Sequence, residues 1–241
     1  MSEILQASIP AAQRAAALAP LPRMQPVAGN WLSVDDAYAA QIGEKQRLLA
    51  ARRDAVLWQD AQAAGAVAEL VAVVLAEVAG HPAFAVAGNA VMTPDGRQVK
   101  VEGLSDLGAV VQEDLCLLER RDENWVLTAA LLCFPASWTL AEKAGRPMRR
   151  IHAPVAPYDE GVAMRVDRLF AGVQPGRPLW RANCLGYADA ALHQPRSEAA
   201  PRQDAVARYD RSERQTILRL PESGAVAFAI HTSVVLRNPA R

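Results

Sequence analysis

Two pairs of apolar, strand-forming runs, each joined by a short polar connection, constrain this chain more than any other feature. Gly108–Glu119 and Trp125–Phe134 are rich in valine and leucine, and only the polar segment Arg120–Asn124 separates them. The pair reads as an antiparallel hairpin. Gln215–Leu220 and Ala225–Val235 flank Pro221-Glu222-Ser223-Gly224, a tight turn whose glycine can take positive φ. Between the hairpins the pattern becomes helical. A short helix is expected over Trp138–Ala144, closed by Gly145 and barred from continuing by Pro147. Another is expected over about Asp159–Ala171, with Val162, Val166, Leu169 and Phe170 inward. Pro175–Pro178 forms a turn and Leu179–Leu185 a fifth strand. The sum is α+β: a five-stranded antiparallel sheet with helices inserted between its second and third strands. This PAS-like arrangement can cradle a ligand between sheet and helices, although fold analogy alone gives no function.

Residues 1–29 read as a loosely ordered arm, since Pro10, Pro20, Pro22 and Pro26 interrupt any long helix. Ser33 and Asp36 form an S-x-x-D capping signal for a helix carrying Tyr38, Ile42, Leu48 and Leu49. A second helix covers roughly 62–79, with Leu70, Val71, Val74, Leu75 and Val78 as its buried stripe, and Gly80 and Pro82 stop it. An N-terminal helical layer over 30–105 thus precedes the sheet domain over 106–241, and 30–241 is expected to form one compact unit.

Lysine plus arginine (26) balance aspartate plus glutamate (26), so bulk charge points to neither nucleic acid nor membrane. The first two dozen residues lack a basic start followed by an unbroken apolar run, and no stretch of about 20 uninterrupted apolar residues is seen. A cytoplasmic protein is expected. Cys116, Cys133 and Cys184 are widely spaced with no C-x-x-C, which argues for reduced thiols rather than a cysteine-held metal. A haem–thiolate at Cys133 has no supporting motif. G-x-G-x-x-G, Walker, G-x-S-x-G and H-E-x-x-H signatures are absent.

The candidate chemistry lies in histidines and charged strand residues. His152 sits between apolar neighbours with Pro154 and Pro157 stiffening the backbone. That placement suits an imidazole aimed into a cavity as an axial metal ligand, and equally a histidine bonded to a loop carbonyl. On the last strand, Val226, Phe228 and Ile230 share one face, and Ala225, Ala227, Ala229 and His231 the other. The alanine face leaves room for a cofactor bordered by His231, or for a tightly packed helix. Alternation likewise puts Arg211, Glu213 and Gln215 on one side and Arg214 and Thr216 on the other. These are either a solvated edge with local ion pairs, or a carboxylate for a cationic amine beside an arginine for a carboxylate. Arg177 and Arg181 bracket Trp180 as further anion contacts. Glu113-Asp114 lies in an apolar strand, where carboxylates need partners or a pocket.

Several short motifs then recur in one order: Leu104-Ser-Asp-Leu-Gly108, Val111-Gln-Glu-Asp-Leu115, Cys133-Phe-Pro-Ala-Ser-Trp138, Leu140-Ala-Glu-Lys143 and Ile151-His-Ala-Pro-Val155. Arg165-Val-Asp-Arg168, Pro175-Gly-Arg-Pro-Leu-Trp-Arg181 and Glu213-Arg-Gln-Thr216 follow. From about Trp31 to Thr232 the chain resembles the haem-dependent oxidative N-demethylase family, the alpha-subunit-like proteins related to dimethylamine monooxygenase. The resemblance implies a PAS-like sheet wrapped by helices and holding haem b. It also implies oxidative removal of an N-methyl group from a small methylated amine, with dioxygen, releasing formaldehyde.

On that resemblance His152 becomes the axial ligand of the iron, and Arg177, Arg181 and His231, read above from the residues, are the expected cofactor contacts. Glu213 or Glu113 would receive the substrate ammonium, with Arg214 as a hydrogen-bonding group. No flavin, folate or iron–sulfur segment is visible, so a separate reductase would supply electrons. The chain departs from the family at Cys184, where Asn183 would precede a tryptophan, and at His231, which stands in place of an arginine. It also stops soon after the last strand, where relatives continue with more helix. A catalytically idle haem-binding sensor or carrier, six-coordinate through two histidines, is the alternative from another class. A cofactor-free domain that stabilises a larger complex is a third.

Overall fold

The last two strand-forming runs build the longest strands, of 11 residues each. The computed structural model describes residues 3–20, 23–153, 159–200 and 206–238. The chain begins with α1 (Ala11–Ala16), β1 (Gln25–Pro26), α2 (Tyr38–Ala51), α3 (Arg53–Val56), β2 (Leu57–Gln59) and α4 (Ala64–Gly80). A small sheet follows, made of β3 (Ala85–Ala87), β4 (Ala90–Met92) and β5 (Gln98–Lys100). The hairpin β6 (Asp114–Arg121) and β7 (Asn124–Leu131) leads to α5 (Leu140–Lys143), α6 (Met148–His152) and α7 (Glu160–Gly172). The chain closes with β8 (Leu179–Tyr187), β9 (Tyr209–Arg219) and β10 (Val226–Leu236).

The main sheet has seven antiparallel strands in the order β1-β8-β9-β10-β6-β7-β2. Its five long strands are the five expected from the sequence, and the short β1 and β2 cover its two edges. β9 and β10 pair without a bulge from Val226↔Arg219 to Leu236↔Tyr209. Gly224 takes φ +69° in their turn, a region that favours glycine. Glu69 of α4 accepts from the turn N–H groups of Glu222 (2.6 Å) and Ser223 (2.9 Å). Because β9 starts at Tyr209, Arg211–Gln215 lie in mid-sheet and not at a strand's beginning.

Both sheet faces are covered. On one, Leu115, Leu117, Ala225, Ala227 and Ala229 share a core with Leu70, Val71, Val74 and Val78 of α4. The alanine face therefore receives helix packing. On the other, Cys116, Leu118, Leu127, Ile217, Val226 and Ile230 pack with Val162, Val166 and Phe170 of α7. Each such large aliphatic residue contributes about 1.5–3 kcal/mol when fully buried. Ala61–Gly80 has a mean hydropathy of 1.9, enough by length and composition alone to cross a membrane, but its apolar stripe belongs to this core.

Four details differ from the expectation. Residues 85–100 form strands because Val86, Val91 and Val99 alternate in register across β3–β5, so 30–105 is not helical throughout. The β6–β7 turn is only Asp122-Glu123, with Asp122 at φ +53°. α2 begins at Tyr38 without a side-chain cap. Asp36 instead accepts from Ala7 N (2.8 Å), and Ser33 N donates to Glu113 Oε1 (2.7 Å). The N-terminal segment around Gln6 and Gln13 also docks on the sheet: Gln6 N donates to Val234 O, Val234 N donates to Gln6 Oε1, and Gln13 Nε2 donates to Ser212 Oγ.

Candidate functional site

Alternation in the sheet and the amphipathic stripe of α7 leave a cavity of about 570 Å³ between them, within the usual range for small-molecule and cofactor sites. Leu118, Ile217, Phe228 and Ile230 form the sheet wall; Met148, Ile151, Val162, Val166, Leu169 and Phe170 form the helix wall. α7 is fixed there by its N-cap, Asp159, whose carboxylate accepts from Val162 N at 2.7 Å. Polar groups join at two places. Arg181, Asn183, Glu213 and Gln215 project from β8 and β9, while His152, Lys143, Arg196, Ser197 and Glu198 come from α5, α6 and the segment before β9.

His152 ends α6, and its Nδ1 lies 3.0 Å from Met148 O, one turn back. A carbonyl only accepts, so Nδ1 carries the proton and Nε2 the lone pair. Burial pushes the pKa of His152 below its ordinary 6.5, and the positive charge of Lys143 adds to this, against the opposing bond to Met148 O. The imidazole is therefore neutral at pH 7, the form that ligates metals. Pro154 and Pro157, expected to stiffen this segment, lie outside the described residues.

On the sheet wall, Glu213 Oε2 accepts from Asn183 Nδ2 and Gln215 Nε2, both at 3.0 Å, and Asn183 Oδ1 accepts from Glu213 N at 3.0 Å. Arg181 Nη1 donates to Gln215 Oε1 at 2.7 Å. Burial lowers the pKa of Arg181, with the Glu213 charge opposing. Arg211, in the same row, is 2 % exposed and donates to Leu192 O (2.9 Å) and Phe134 O (2.7 Å). Its Nε stands 3.9 Å from Glu213 Oε1. The result is an oriented carboxylate in a mostly apolar cavity, suited to a small cation.

The remaining sequence candidates lie elsewhere. Arg214 and His231 project from the opposite face of the sheet, into a separate cleft of about 320 Å³. There Arg214 Nη1 donates to Trp31 O (2.6 Å), its guanidinium stands over the Trp180 ring, and His231 Nε2 lies 3.3 Å from Asp35 Oδ2. With the sheet between them, His152 and His231 do not share one metal. Strand alternation likewise separates Arg214 from Glu213. Glu113 is fully buried outside the cavity wall, and desolvation raises its pKa despite nearby His231 and the bond from Ser33 N. Arg177 is exposed in the turn before β8, away from the cavity. Cys133 sits in the other core, its thiol pushed up to about 12 by burial.

Lys143, Arg196 and Glu198 were not singled out from the sequence. Lys143 falls in the quoted Leu140–Lys143 motif, but Arg196 and Glu198 lie in a polar, alanine-rich stretch with no periodicity to mark them. Among the described residues, no group of three or more His, Cys, Asp or Glu could hold a bare metal ion. A porphyrin needs only one axial donor from the chain. The family model described as haem-dependent oxidative N-demethylase, alpha subunit-like, matches residues 23–236.

Proposed function

The chain belongs to the haem-dependent oxidative N-demethylase, alpha subunit-like family, and from that premise we propose that it binds haem b in the cavity between sheet and α7 and demethylates a small cationic amine there. The observation that carries this reading is a neutral, oriented imidazole, His152, in the wall of a mostly apolar cavity that also presents the Glu213 carboxylate. The residues fit the group. His152 would hold the iron, the leucine, isoleucine, valine and phenylalanine walls suit a flat apolar macrocycle, and basic side chains stand at the polar parts of the wall. The five long strands, in the order β7-β6-β10-β9-β8 with helices inserted after β7, support the PAS-like description.

Haem held here would supply oxygen-activating chemistry for oxidation of the N-methyl carbon, which would leave as formaldehyde, with dioxygen as oxidant and a separate reductase as electron source. The protein's own part is to bind and orient. Glu213 pairs with the substrate ammonium, while Asn183 and Gln215 hold its carboxylate in place and Arg181 holds Gln215. The apolar walls exclude water, which strengthens that pairing. The donated Nδ1–H of His152 fixes the ring and raises its basicity as a ligand.

Haem-loaded protein, supplied with a reducing system, oxygen and a panel of methylated amines, should release formaldehyde. Glu213→Gln should raise KM for the amine by about 10–100-fold, the worth of a charge-assisted contact. Formaldehyde release from no amine, with haem bound, would remove the enzymatic reading.

A further inference from the structure

Three basic side chains other than His152 line the cavity: Lys143, Arg181 and Arg196. Two are engaged. Lys143 Nζ donates to Ile151 O (2.8 Å) and Glu198 Oε1 (2.5 Å), and Arg181 to Gln215 Oε1. Arg196 differs, because its Nε is buried with no hydrogen-bond acceptor. A buried donor left unmet is expensive, more so when charged, and native structures rarely keep one without a reason.

The backbone around Arg196 is pinned on both sides. Gln194 N donates to Pro135 O and Ser137 N to Gln194 O. On the other side Glu142 accepts from Ser197 Oγ (2.8 Å) and Glu198 N (3.2 Å), and Arg150 grips the two oxygens of Glu198 at 3.1 and 3.0 Å. Arg196 O itself accepts from Thr139 Oγ1 at 3.1 Å. Residues 194–198 thus form a strap fastened to α5 and α6, whose backbone sets Arg196 in the cavity wall with its Nε unmatched. Holding a planar fork in place before the ligand arrives is the preorganisation that carboxylate recognition favours.

We propose that Arg196 is the carboxylate anchor of this cavity, and that the strap on which it stands is fixed in advance to receive a carboxylate of the bound macrocycle. This rests on the haem reading above. A carboxylate could also come from an amino-acid-type substrate, and the test separates the two sources.

Haem, metal-free protoporphyrin IX and the dimethyl ester of protoporphyrin IX are titrated into the parent protein, Arg196→Ala and Arg196→Lys, followed by absorbance and porphyrin fluorescence. N-methylglycine is titrated calorimetrically into the haem-loaded parent and Arg196→Ala proteins. The parent should bind the free-acid porphyrin about tenfold or more tightly than the ester. Arg196→Ala should lose that preference, Arg196→Lys should keep part of it, and the haem absorption maximum should not move, since His152 is untouched. Equal free-acid affinity in the parent and Arg196→Ala overturns the proposal and leaves the haem reading intact. Arg196-dependent binding of N-methylglycine, with porphyrin binding unaffected, assigns the anchor to substrate and also overturns it. No porphyrin or haem uptake by the parent overturns both readings together.

Discussion

Replacing Arg211 by methionine isolates how the cavity's polar wall is held. The side chain is 2 % exposed, and its two shorter donated bonds, to Leu192 O at 2.9 Å and Phe134 O at 2.7 Å, with a third to Ala191 O at 3.4 Å, tie the root of the strap to the segment after β7. Its guanidinium also stands 5.6 Å from the Tyr187 ring centre. Two charge-assisted bonds are together worth about 3–6 kcal/mol, and the stack adds about 1 kcal/mol. Against this, the variant no longer has to bury a guanidinium, which recovers several kcal/mol. The two carbonyls stay buried and lose their donor. A net loss of about 3 kcal/mol follows, or a Tm lower by about 6–12 °C for a chain of this size. Urea unfolding followed by tryptophan fluorescence reads it directly. Arg211→Lys keeps the charge but reaches one carbonyl, and should fall between parent and methionine variant. A loss under about 1 kcal/mol for Arg211→Met, or a lysine variant as weak as methionine, would show that these bonds do not hold the wall.

Two further outcomes concern protonation. Burial raises the pKa of Glu113 above its ordinary 4.5. The unfolded chain therefore ionises first, and stability present below about pH 4.5 is lost as pH rises through the folded value. Glu113→Gln keeps an oxygen for Ser33 N and carries no charge, so it should be at least as stable as the parent at pH 7, measured by thermal melts; a lower Tm would contradict this. His152 has the opposite sense, a basic group whose folded pKa lies below 6.5. As pH falls below about 6.5 the unfolded chain takes a proton that the folded chain refuses, so stability drops until the folded value is passed. His152→Gln should flatten that part of the urea-midpoint curve between pH 5 and 8, and an unchanged slope would show that this imidazole is not buried neutral.

Much of the frame is visible in the sequence because the strands and α7 follow simple periods. Val226, Phe228 and Ile230 against Ala225, Ala227 and Ala229 place β10 and its two faces correctly. The same alternation puts Glu213 and Gln215 opposite Arg214, as observed. It does not say which face carries the cavity, since both faces of this sheet are buried and each holds polar side chains. Alternation alone is therefore compatible with Arg214 as a hydrogen-bonding group and His231 as a cofactor contact, whereas α5–α7 cover the other side. The small sheet over 85–100 escaped notice because its three-residue strands are too short for a period to emerge. Ser33 and Asp36 carry a capping pattern, but tertiary partners, Glu113 and Ala7, claim both residues. Arg196 has no local signal at all; only the fold brings it to the cavity.

His152 is the residue proposed to hold haem in the sheet–helix cavity. An absorption spectrum of the haem-supplemented protein beside its His152→Ala variant tests it most directly. The account expects an intense Soret band in the parent that is lost or strongly shifted in the variant, with the His231→Ala spectrum unchanged. A parent-like band that persists in His152→Ala, or disappears in His231→Ala, would contradict it.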